Sequence, residues 1–362
     1  MQNAENLHPK LSPPLDEQSA PANMSAASDG KTFSDDWRTW IAENIVLSNS
    51  LSGMHEILIQ QGFSEEVARS EIELALQSPY LKGSKRLQNK LLKRDWVLGI
   101  YQKLSRLAPQ SVPRCHQLSG GDFLHNFYMK NQPVIITGMM DDWAGMQLWS
   151  MDYFKKILPD AEVQIQWGRE KDPHYEANSE THRKILRFEE YIDLIETRSP
   201  TNDFYMTANN DGLNKRNLST LWKDIGPLKE YLTACEDRQG FLWLGPAGTL
   251  TPFHHDLTNN LMAQVVGRKR IKIIPAHDIT RLPNPFHCFT PLDGTQMLAS
   301  TFPVNETDPM VLECVIEPGE ILFLPVGSWH FVEALDISAT MSFTNFKWDN
   351  DFYSSYPDHT QF

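Results

Sequence analysis

The sequence predicts a mainly β (α+β) protein, in which an antiparallel barrel or jelly roll follows an N-terminal helical domain. Apolar residues recur at helical spacing between about residues 33 and 109. Short alternating segments separated by turns begin after residue 110. They are densest over residues 241–346, and many short strands of this kind are typical of barrels and jelly rolls.

Composition indicates a folded protein with a sizeable core. The chain has 362 residues, of which 41% are hydrophobic and 10% aromatic, enough for one large domain and a smaller one. Neither a membrane-length apolar run nor a secretory signal is apparent in the sequence. The four cysteines are scattered, with no CxxC pair. We therefore expect reduced thiols, a cytoplasmic location and no membrane partner.

The N-terminal part is predicted to contain two segments. Residues 1–32 are rich in Pro, Ser, Ala and Asn, and we expect a disordered tail. Residues 33–109 are expected to form the helical domain, in which Ser64 followed by two glutamates is typical of a helix start and Pro79 of a helix end. Apolar residues at helical spacing predict its buried sides: Trp37, Trp40, Ile41, Ile45, Ile57, Leu58, Phe63, Val67, Ile72, Leu74, Ala75, Leu76, Leu87, Leu91, Leu98, Tyr101 and Leu104.

The charge balance bears on partners. A net charge of −13 disfavours general nucleic-acid binding, because such affinity comes largely from cations that neutralise phosphates. One local basic group stands out within the helical domain: Lys82, Lys85, Arg86, Lys90, Lys93 and Arg94. It is compatible with a solvated helix face and with a nucleic-acid contact.

Residues 110–350 are predicted to form the β domain, and residues 351–362 a C-terminal tail. Residues 134–137 (VIIT) have the composition of a strand that ends at Gly138, and Val163, Ile165 and Trp167 alternate with polar neighbours. Two helical stretches, 153–158 and 188–195, interrupt the strands.

The first candidate metal ligands lie in residues 251–256 (TPFHHD). Side chains alternate between the faces of an extended strand, so His254 and Asp256 point the same way while His255 points away. An imidazole and a carboxylate at one point supply two of the three ligands of the facial triad in non-haem Fe(II) oxygenases. By itself a His-x-Asp pair is common, and an ordinary surface or core pair is the alternative.

The third ligand is expected from a distant strand. Residues 318–325 (PGEILFLP) have the pattern of a turn and a buried strand, and residues 326–330 (VGSWH) follow directly. His330 lies 76 positions after His254, which leaves room for several strands between them. We therefore predict an iron site formed by His254, Asp256 and His330, with His277 and His287 as structural or exposed residues.

A basic residue on an apolar strand face suggests a second component of the site. In residues 265–275 (VVGRKRIKIIP), Lys269 shares one face with Val265, Ile271 and Ile273. A buried ammonium needs an anionic partner. A dicarboxylate cosubstrate could place its far carboxylate on Lys269 and its 2-oxo acid end on the iron. A lysine that extends along the strand to solvent is the alternative.

Asn345 on the last predicted strand is another polar residue on an apolar strand face. Its face otherwise carries Ala339, Met341 and Phe343, so the amide must find a hydrogen-bond partner. A hydrogen bond near an iron-bound carboxylate and a structural bond to the backbone are both compatible with the pattern.

Together these motifs resemble the JmjC/cupin-like (cupin_8) Fe(II)- and 2-oxoglutarate-dependent oxygenases, specifically the branch that contains the asparaginyl hydroxylase factor inhibiting HIF. The resemblance covers about residues 112–346. Its most specific parts are 131–136 (NQPVII), 251–256 (TPFHHD), 260–269 (NLMAQVVGRK), 327–330 (GSWH) and Asn345.

The resemblance implies a double-stranded β-helix fold and a site for Fe(II), 2-oxoglutarate and O2, with the iron on His254, Asp256 and His330. It further implies that Thr251 and Lys269 hold the far carboxylate of 2-oxoglutarate, with Tyr205 as the matching cosubstrate-contacting tyrosine. Asn260 and Asn345 match asparagines near the iron-chelating end.

The function implied by the resemblance is hydroxylation of a protein or peptide side chain, with release of succinate and CO2. Demethylation of N-methyl-lysine and hydroxylation of a tRNA base use the same chemistry and are the alternatives. A non-catalytic cupin-like binding or scaffold protein is the alternative from another class. The sequence shows no helical segment after Asn345 like the one through which the named relative dimerises, so a homodimer is an open expectation.

Overall fold

The structure, a computed structural model, describes residues 32–208, 212–234, 240–284, 287–300, 305 and 308–357. The chain divides into two compact units, Met1–Gly99 and Ile100–Phe362. The division precedes the boundary predicted at residue 109. Residues 1–31 of the predicted N-terminal tail and residues 358–362 of the predicted C-terminal tail lie outside the described residues.

The first unit is helical where it is described. Its helices are α1 (Asp35–Val46), α2 (Leu51–Gln60), α3 (Glu65–Gln77) and the greater part of α4 (Pro79–Ser105). Serine hydroxyls cap the first three, because Ser34, Ser50 and Ser64 each accept a hydrogen bond from the backbone N–H three residues later. The helix start predicted at Ser64 is confirmed, and Pro79 begins α4 after α3 has ended at Gln77.

The core of this unit lies among α1, α2 and α3, and the first turn of α4 adds Leu81 to it. The predicted burial of the α1 and α2 apolar residues and of Phe63 and Ile72 is confirmed. The prediction was wrong for a second group, whose side chains are exposed: Val67, Leu74, Leu76, Leu87, Leu91, Tyr101 and Leu104. Helical spacing identifies an apolar side of a helix, but it does not identify what covers that side.

The second unit contains the strands. They are β1 (Arg114–His116), β2 (Val134–Thr137), β3 (Glu162–Trp167), β4 (Arg183–Arg187), β5 (Phe204–Tyr205), β6 (Phe241–Gly245), β7 (Leu250–His255), β8 (Asn260–Val266), β9 (Lys269–Ile274), β10 (Leu312–Ile316), β11 (Glu320–Leu324), β12 (Trp329–Ala334) and β13 (Ser338–Phe343). The helices between them are α5 (Gly120–Phe123), α6 (Gly145–Leu148), α7 (Met151–Ile157), α8 (Phe188–Arg198) and α9 (Leu213–Asn217).

Two sheets form the body of this unit in the described part of the chain. One has the strand order β1-β2-β11-β8-β13-β6 and the other β10-β9-β12-β7, with antiparallel pairing except between β1 and β2. Ile135 and Leu322 from the first sheet share an apolar cluster with Ile271 and Leu312 from the second, so the sheets pack face to face. This arrangement confirms the predicted mainly β jelly-roll core with additional helices.

The other face of the longer sheet is covered by helices. Val134 and Ile136 alternate with Ile135 along β2 and join a cluster that includes Phe154 of α7 and Ile192 of α8. A further small sheet, β4-β3-β5, contributes Ile165 and Phe204 to the same cluster. The packing of the small sheet and the helices in this cluster therefore fixes β5, and with it Tyr205, beside the two larger sheets.

The remaining expectations concern membranes and thiols. Among the described residues, no helix is both long enough and apolar enough to span a bilayer. Cys115, Cys288 and Cys314 are free thiols, as expected, and Cys235 lies outside the described residues. Burial raises the pKa of the Cys288 thiol to about 11 and that of Cys314 to about 12, which keeps both protonated at neutral pH.

Candidate metal and cosubstrate site

Adjacent strands bring the three predicted metal ligands together. His254 lies near the end of β7 and Asp256 follows this strand directly, while His330 is the second residue of β12. The two strands pair antiparallel with His330 opposite His254. Residues paired across two strands project from the same face. The long separation in sequence therefore becomes a direct contact between neighbouring strands.

The side chains converge on one point. One ligand atom from each of the three residues lies within 4.8 Å of the others. His254 Nε2 is 3.7 Å from Asp256 Oδ1, and the two imidazole centroids are 4.2 Å apart. Among the described residues, these three side chains form the group of His, Cys, Asp and Glu residues that lies close enough together to hold a metal ion.

Backbone carbonyls fix the orientation of both imidazoles. His254 Nδ1 is 2.9 Å from the Pro252 carbonyl and His330 Nδ1 is 3.1 Å from the Ser328 carbonyl. A carbonyl only accepts, so Nδ1 carries the proton and Nε2 keeps its lone pair for a metal. Burial lowers the pKa of His330 well below its ordinary value, so this ring is neutral at pH 7.

The carboxylate ligand is held by a second set of contacts. The Asn260 side-chain nitrogen donates to Asp256 Oδ2 at 3.2 Å, and the Gly327 N–H donates to the Asp256 carbonyl at 3.1 Å. Gly327 has φ +73°, a conformation that glycine adopts readily, and begins the turn into β12. One turn therefore connects the backbone of Asp256 to the strand that carries His330.

A β-bulge determines where Thr251 points. The register between β12 and β7 shifts between His330, opposite His254, and Val332, opposite Thr251. Strict alternation would place Thr251 and His254, three residues apart, on opposite faces. The extra residue in β7 corrects this parity, so Thr251 projects from the same face as the imidazoles.

Lys269 lies farther along the same inward face. It pairs with Ala334 of β12 and is 2% exposed. Its Nζ donates to the Tyr205 hydroxyl at 3.0 Å, and among the described residues no carboxylate pairs with it. Burial lowers the pKa of Lys269 to about 7. The structure thus brings Tyr205 to Lys269, and the burial of Lys269 excludes the alternative of a lysine that extends to solvent.

Arg169 is a residue that the sequence did not indicate. It begins the short 3₁₀ turn Arg169–Lys171 after β3 and is 0% exposed. Its Nη2 donates to Glu176 Oε1 at 2.9 Å and to the Leu250 carbonyl at 2.6 Å. The guanidinium carbon lies 4.2 Å from the centroid of the Tyr175 ring and 5.3 Å from that of Tyr205. Arg169 therefore contacts both Tyr205 and the residue that precedes Thr251.

The two asparagines have unequal surroundings. Asn260 contacts the metal-ligand set through Asp256, while the Asn345 side-chain nitrogen donates to the Thr233 backbone carbonyl at 3.1 Å. A bond to backbone was one of the two possibilities for Asn345. The Oδ1 atoms of both residues are buried and have no hydrogen-bond partner in the described part of the chain.

His255 lies on the other face of β7, as strand alternation predicts. It is 6% exposed, packs edge-on against Trp329 with ring centroids 4.7 Å apart, and its Nε2 is 3.3 Å from the Tyr356 hydroxyl. Burial lowers the pKa of His255. Tyr356 belongs to the segment predicted to be a tail, and here it packs beside β7.

The unmatched polar groups fit a ferrous ion with a bound dicarboxylate. Two imidazoles and one carboxylate leave positions open on a six-coordinate metal. Among the described residues, the Lys269 ammonium lacks a carboxylate partner, and Asn260 Oδ1, beside Asp256, lacks a donor. Buried polar groups are ordinarily paired, so this set indicates a polar ligand between the lysine and the triad.

Comparison with known proteins agrees with this geometry. The cupin-like domain family matches residues 121–354, more than half of the chain. Three curated relatives are a lysine-specific demethylase 8 from Xenopus tropicalis, the lysine-specific demethylase JMJ30 and the arginine-specific demethylase JMJ22, the last two from Arabidopsis thaliana. The chain is 27%, 27% and 23% identical to them, respectively.

Each match covers only part of this chain and only part of the relative. The alignments cover 64%, 69% and 69% of this chain and 52%, 57% and 49% of the three relatives. The chain therefore spans about half the length of the curated relatives that it matches. The relatives are demethylases by name, and the resemblance to the asparaginyl hydroxylase branch stays a prediction.

Proposed function

This chain belongs to the cupin-like domain family, and from that premise we propose that it is an Fe(II)- and 2-oxoglutarate-dependent oxygenase that hydroxylates a side chain of a protein or peptide. One observation carries the proposal. The inward face that holds His254, Asp256 and His330 also holds a buried lysine that has no carboxylate partner among the described residues. A metal site alone would not require that lysine.

The protein holds the metal through preset geometry. Hydrogen bonds from Nδ1 orient His254 and His330, and Asn260 and Gly327 position Asp256. With 2-oxoglutarate and O2, ferrous iron supplies the oxidation that inserts one oxygen atom into a C–H bond of the substrate as 2-oxoglutarate becomes succinate and CO2. The residues around it bind, orient and shield the reactants.

Lys269, Tyr205 and Thr251 hold the far carboxylate of 2-oxoglutarate. The lysine supplies the charge, and the tyrosine and threonine hydroxyls supply further donors on the same side. The 2-oxo acid end would then lie towards the metal ligands, where Asn260 contacts Asp256, and the family resemblance assigns Asn345 to the same end. Burial of Lys269 and Tyr205 excludes water from this end of the site.

The exposed side of the triad faces the substrate. The side chains of His254 and Asp256 are 19% and 28% exposed, whereas His330 is buried. A large substrate therefore reaches the metal from the side of His254 and Asp256. This open approach suits a side chain presented by a protein or peptide.

Metal binding and turnover test the assignment together. We expect purified protein reconstituted with Fe(II) under anaerobic conditions to bind one ion and to release succinate when 2-oxoglutarate, O2 and substrate-containing extract are added. His254→Ala should lose the ion and the turnover. The matched variant His255→Asn, which changes the next residue on the opposite face, should still bind the ion. Equal metal content in both variants would reject the triad.

Demethylation of an N-methyl group is the second candidate, favoured by the relatives that are named as demethylases. It uses the same C–H hydroxylation, after which the hydroxymethyl group leaves nitrogen as formaldehyde. Mass spectrometry of extract proteins from cells that lack the gene separates the two after incubation with the enzyme. Hydroxylation adds one oxygen atom to a peptide, whereas demethylation removes a methylene unit and yields formaldehyde.

A further inference from the structure

The α4 helix leaves the core of the first unit after one turn. Leu81 is buried in that core, whereas residues 82–97 are exposed apart from a half-buried Gln88. The exposed residues include five large apolar side chains: Leu87, Leu91, Leu92, Trp96 and Val97. Isolated helices are marginally stable in water, and clustered apolar exposure marks contact surfaces. This part of α4 lacks a partner within the described residues of its unit.

The same stretch of α4 is strongly basic. Between Pro79 and Gly99 it carries six cations against the single acid Asp95, in a chain whose net charge is −13. The six are Lys82, Lys85, Arg86, Lys90, Lys93 and Arg94. A surface that combines leucine, tryptophan and cations requires an occupant that is apolar and acidic.

The α3 helix presents such a surface. Val67 and Leu74 are 40% and 61% exposed and lie seven residues apart on one side of the helix. Glu66 and Glu73 repeat the same spacing beside them and are exposed. A cleft of about 350 Å³ on this side is lined by Glu65, Glu66, Arg69, Ser70 and Glu73. We define this side as the acidic face and residues 82–97 of α4 as the basic face.

We infer that the protein self-associates by docking the basic face of one copy on the acidic face of a second copy. Each copy carries both faces, so one two-fold axis satisfies both pairs at once and closes the assembly as a dimer. Opposite charges then frame apolar contacts on both helices. This reciprocal docking also covers apolar side chains that were predicted to be buried but are exposed within a single copy.

Helix geometry limits the part of the basic face that one contact can cover. At about 100° per residue its five apolar side chains are spread around most of the helix. Leu87 and Leu91 lie four residues apart on one side, next to Lys90 and Arg94. The contact therefore uses this side, and the opposite charges of the two faces select the second copy as the occupant.

Sedimentation velocity of the full chain across a concentration series tests the inference. We expect a dimer that weakens as ionic strength rises. Leu87→Glu/Leu91→Glu should raise the dissociation constant at least tenfold. The matched control Leu298→Glu changes a leucine that is 84% exposed in the other unit and should leave the constant unchanged. Circular dichroism confirms that the variants stay helical, and a wild-type chain that is monomeric at every concentration overturns the inference.

Charge reversal tests the pairing of the two faces. Glu66→Lys/Glu73→Lys should weaken the dimer, and Lys90→Glu/Lys93→Glu should weaken it as well. Mixing the two variants restores one native face pair and opposes the new lysines of α3 to the new glutamates of α4 in the other pair, so a heterodimer should form more tightly than either homodimer. If mixing restores nothing, the acidic face is not the occupant.

Cysteine cross-linking distinguishes the remaining arrangements. Chains with Ser70→Cys mixed with chains with Leu91→Cys should yield a mixed disulfide-linked dimer above the background of the parent protein. Cross-linking of Leu91→Cys with itself at equal yield would indicate pairing of α4 with α4 and overturn the inference. Binding of a monomeric chain to vesicles of anionic lipid would likewise overturn it.

Discussion

The charge of Lys269 makes cosubstrate binding depend on pH. Burial brings the pKa of its ammonium to about 7, from an ordinary value of 10.5. A carboxylate favours the charged form, so binding of 2-oxoglutarate above pH 7 takes up a proton. We expect affinity for 2-oxoglutarate to fall as pH rises above 7, by at most about tenfold per unit. Isothermal titration calorimetry of the metal-loaded protein in buffers with different ionisation enthalpies measures this proton uptake directly.

Lys272 supplies a control for this prediction, and the pKa of Lys269 also predicts how stability depends on pH. Lys272→Met removes a second buried lysine of β9, whose Nζ donates to the Gly294 carbonyl at 2.7 Å, and should leave the proton uptake unchanged. Without cosubstrate, the unfolded state binds more protons than the folded state between pH 7 and 10.5. The free energy of unfolding should therefore increase with pH over this window. An affinity for 2-oxoglutarate that is constant from pH 7 to 9 would contradict the role given to Lys269.

Arg169 should act as a positioning residue for the far-carboxylate end. Arg169→Met leaves Glu176 without its cationic partner and should cost about 3–5 kcal/mol of stability, together with a raised KM for 2-oxoglutarate. In the double variant Arg169→Met/Glu176→Gln the unpaired carboxylate is removed. Thermal unfolding should then recover in part while the KM stays high, because Tyr205 and the Leu250 carbonyl still lack the guanidinium. Recovery of both would assign Arg169 a purely structural role.

The sequence could not indicate Arg169, for a physical reason. It stands in the charged run 169–172 (REKD) after Gly168, a pattern typical of a solvent-exposed turn. Its burial arises from Tyr175, Glu176 and β7, which contact it only in the folded chain. Lys269, by contrast, could be predicted because it interrupts an apolar strand face. His254 and Asp256 could be predicted because residues at positions i and i+2 share one face of a strand.

At the scale of elements, one turn and one bulge determine how the site assembles. The period of two places His254 and Asp256 together, but it puts Thr251 on the wrong face, and only the register shift in β7 corrects this. A bulge depends on the partner strand, so Thr251 could be predicted only from the family resemblance. Strand β2 was predicted at its observed bounds because a short β-branched run that ends at glycine is a local signal.

The turn before β12 gives a prediction at this scale. A Cβ on Gly327 would sit 3.3 Å from Ala276 Cβ, and φ +73° is unfavourable for alanine by about 1–2 kcal/mol. Gly327→Ala should therefore displace the turn that contacts Asp256 and weaken metal binding roughly tenfold. The comparison is Gly83→Ala in α4, where no atom lies within 4 Å of the added Cβ and stability should rise by about 0.5–1 kcal/mol. Unaltered metal affinity in Gly327→Ala would separate the turn from the site.

At the scale of the molecule, the order of strands was beyond local reasoning. In the described sheets β12 lies between β9 and β7, so neighbours come from chain segments far apart in sequence. Alternation specifies which residues share a face of one strand, but it carries no information on which strands become neighbours. The jelly-roll class followed from the number and shortness of the strands, whereas the meeting of His254 and His330 was predicted from the ligand set of a facial triad and not from the order of the strands.

The division into two units predicts where metal binding acts on stability. A ligand stabilises the state that binds it, by about 2.7 kcal/mol when its concentration is 100 times the Kd. The triad lies entirely in Ile100–Phe362, whereas α1, α2 and α3 have their own core in Met1–Gly99. We expect Fe(II), added without oxygen, to slow hydrogen exchange in β7 and β12 of the full chain, and removal of the metal by a chelator to reverse this. Exchange in α1–α3 should stay constant, and His254→Ala should abolish the metal effect. Equal protection of α1–α3 would show that the helical unit is coupled to the metal site. Hydrogen exchange in β7 that is not slowed by Fe(II) would reject the metal site itself.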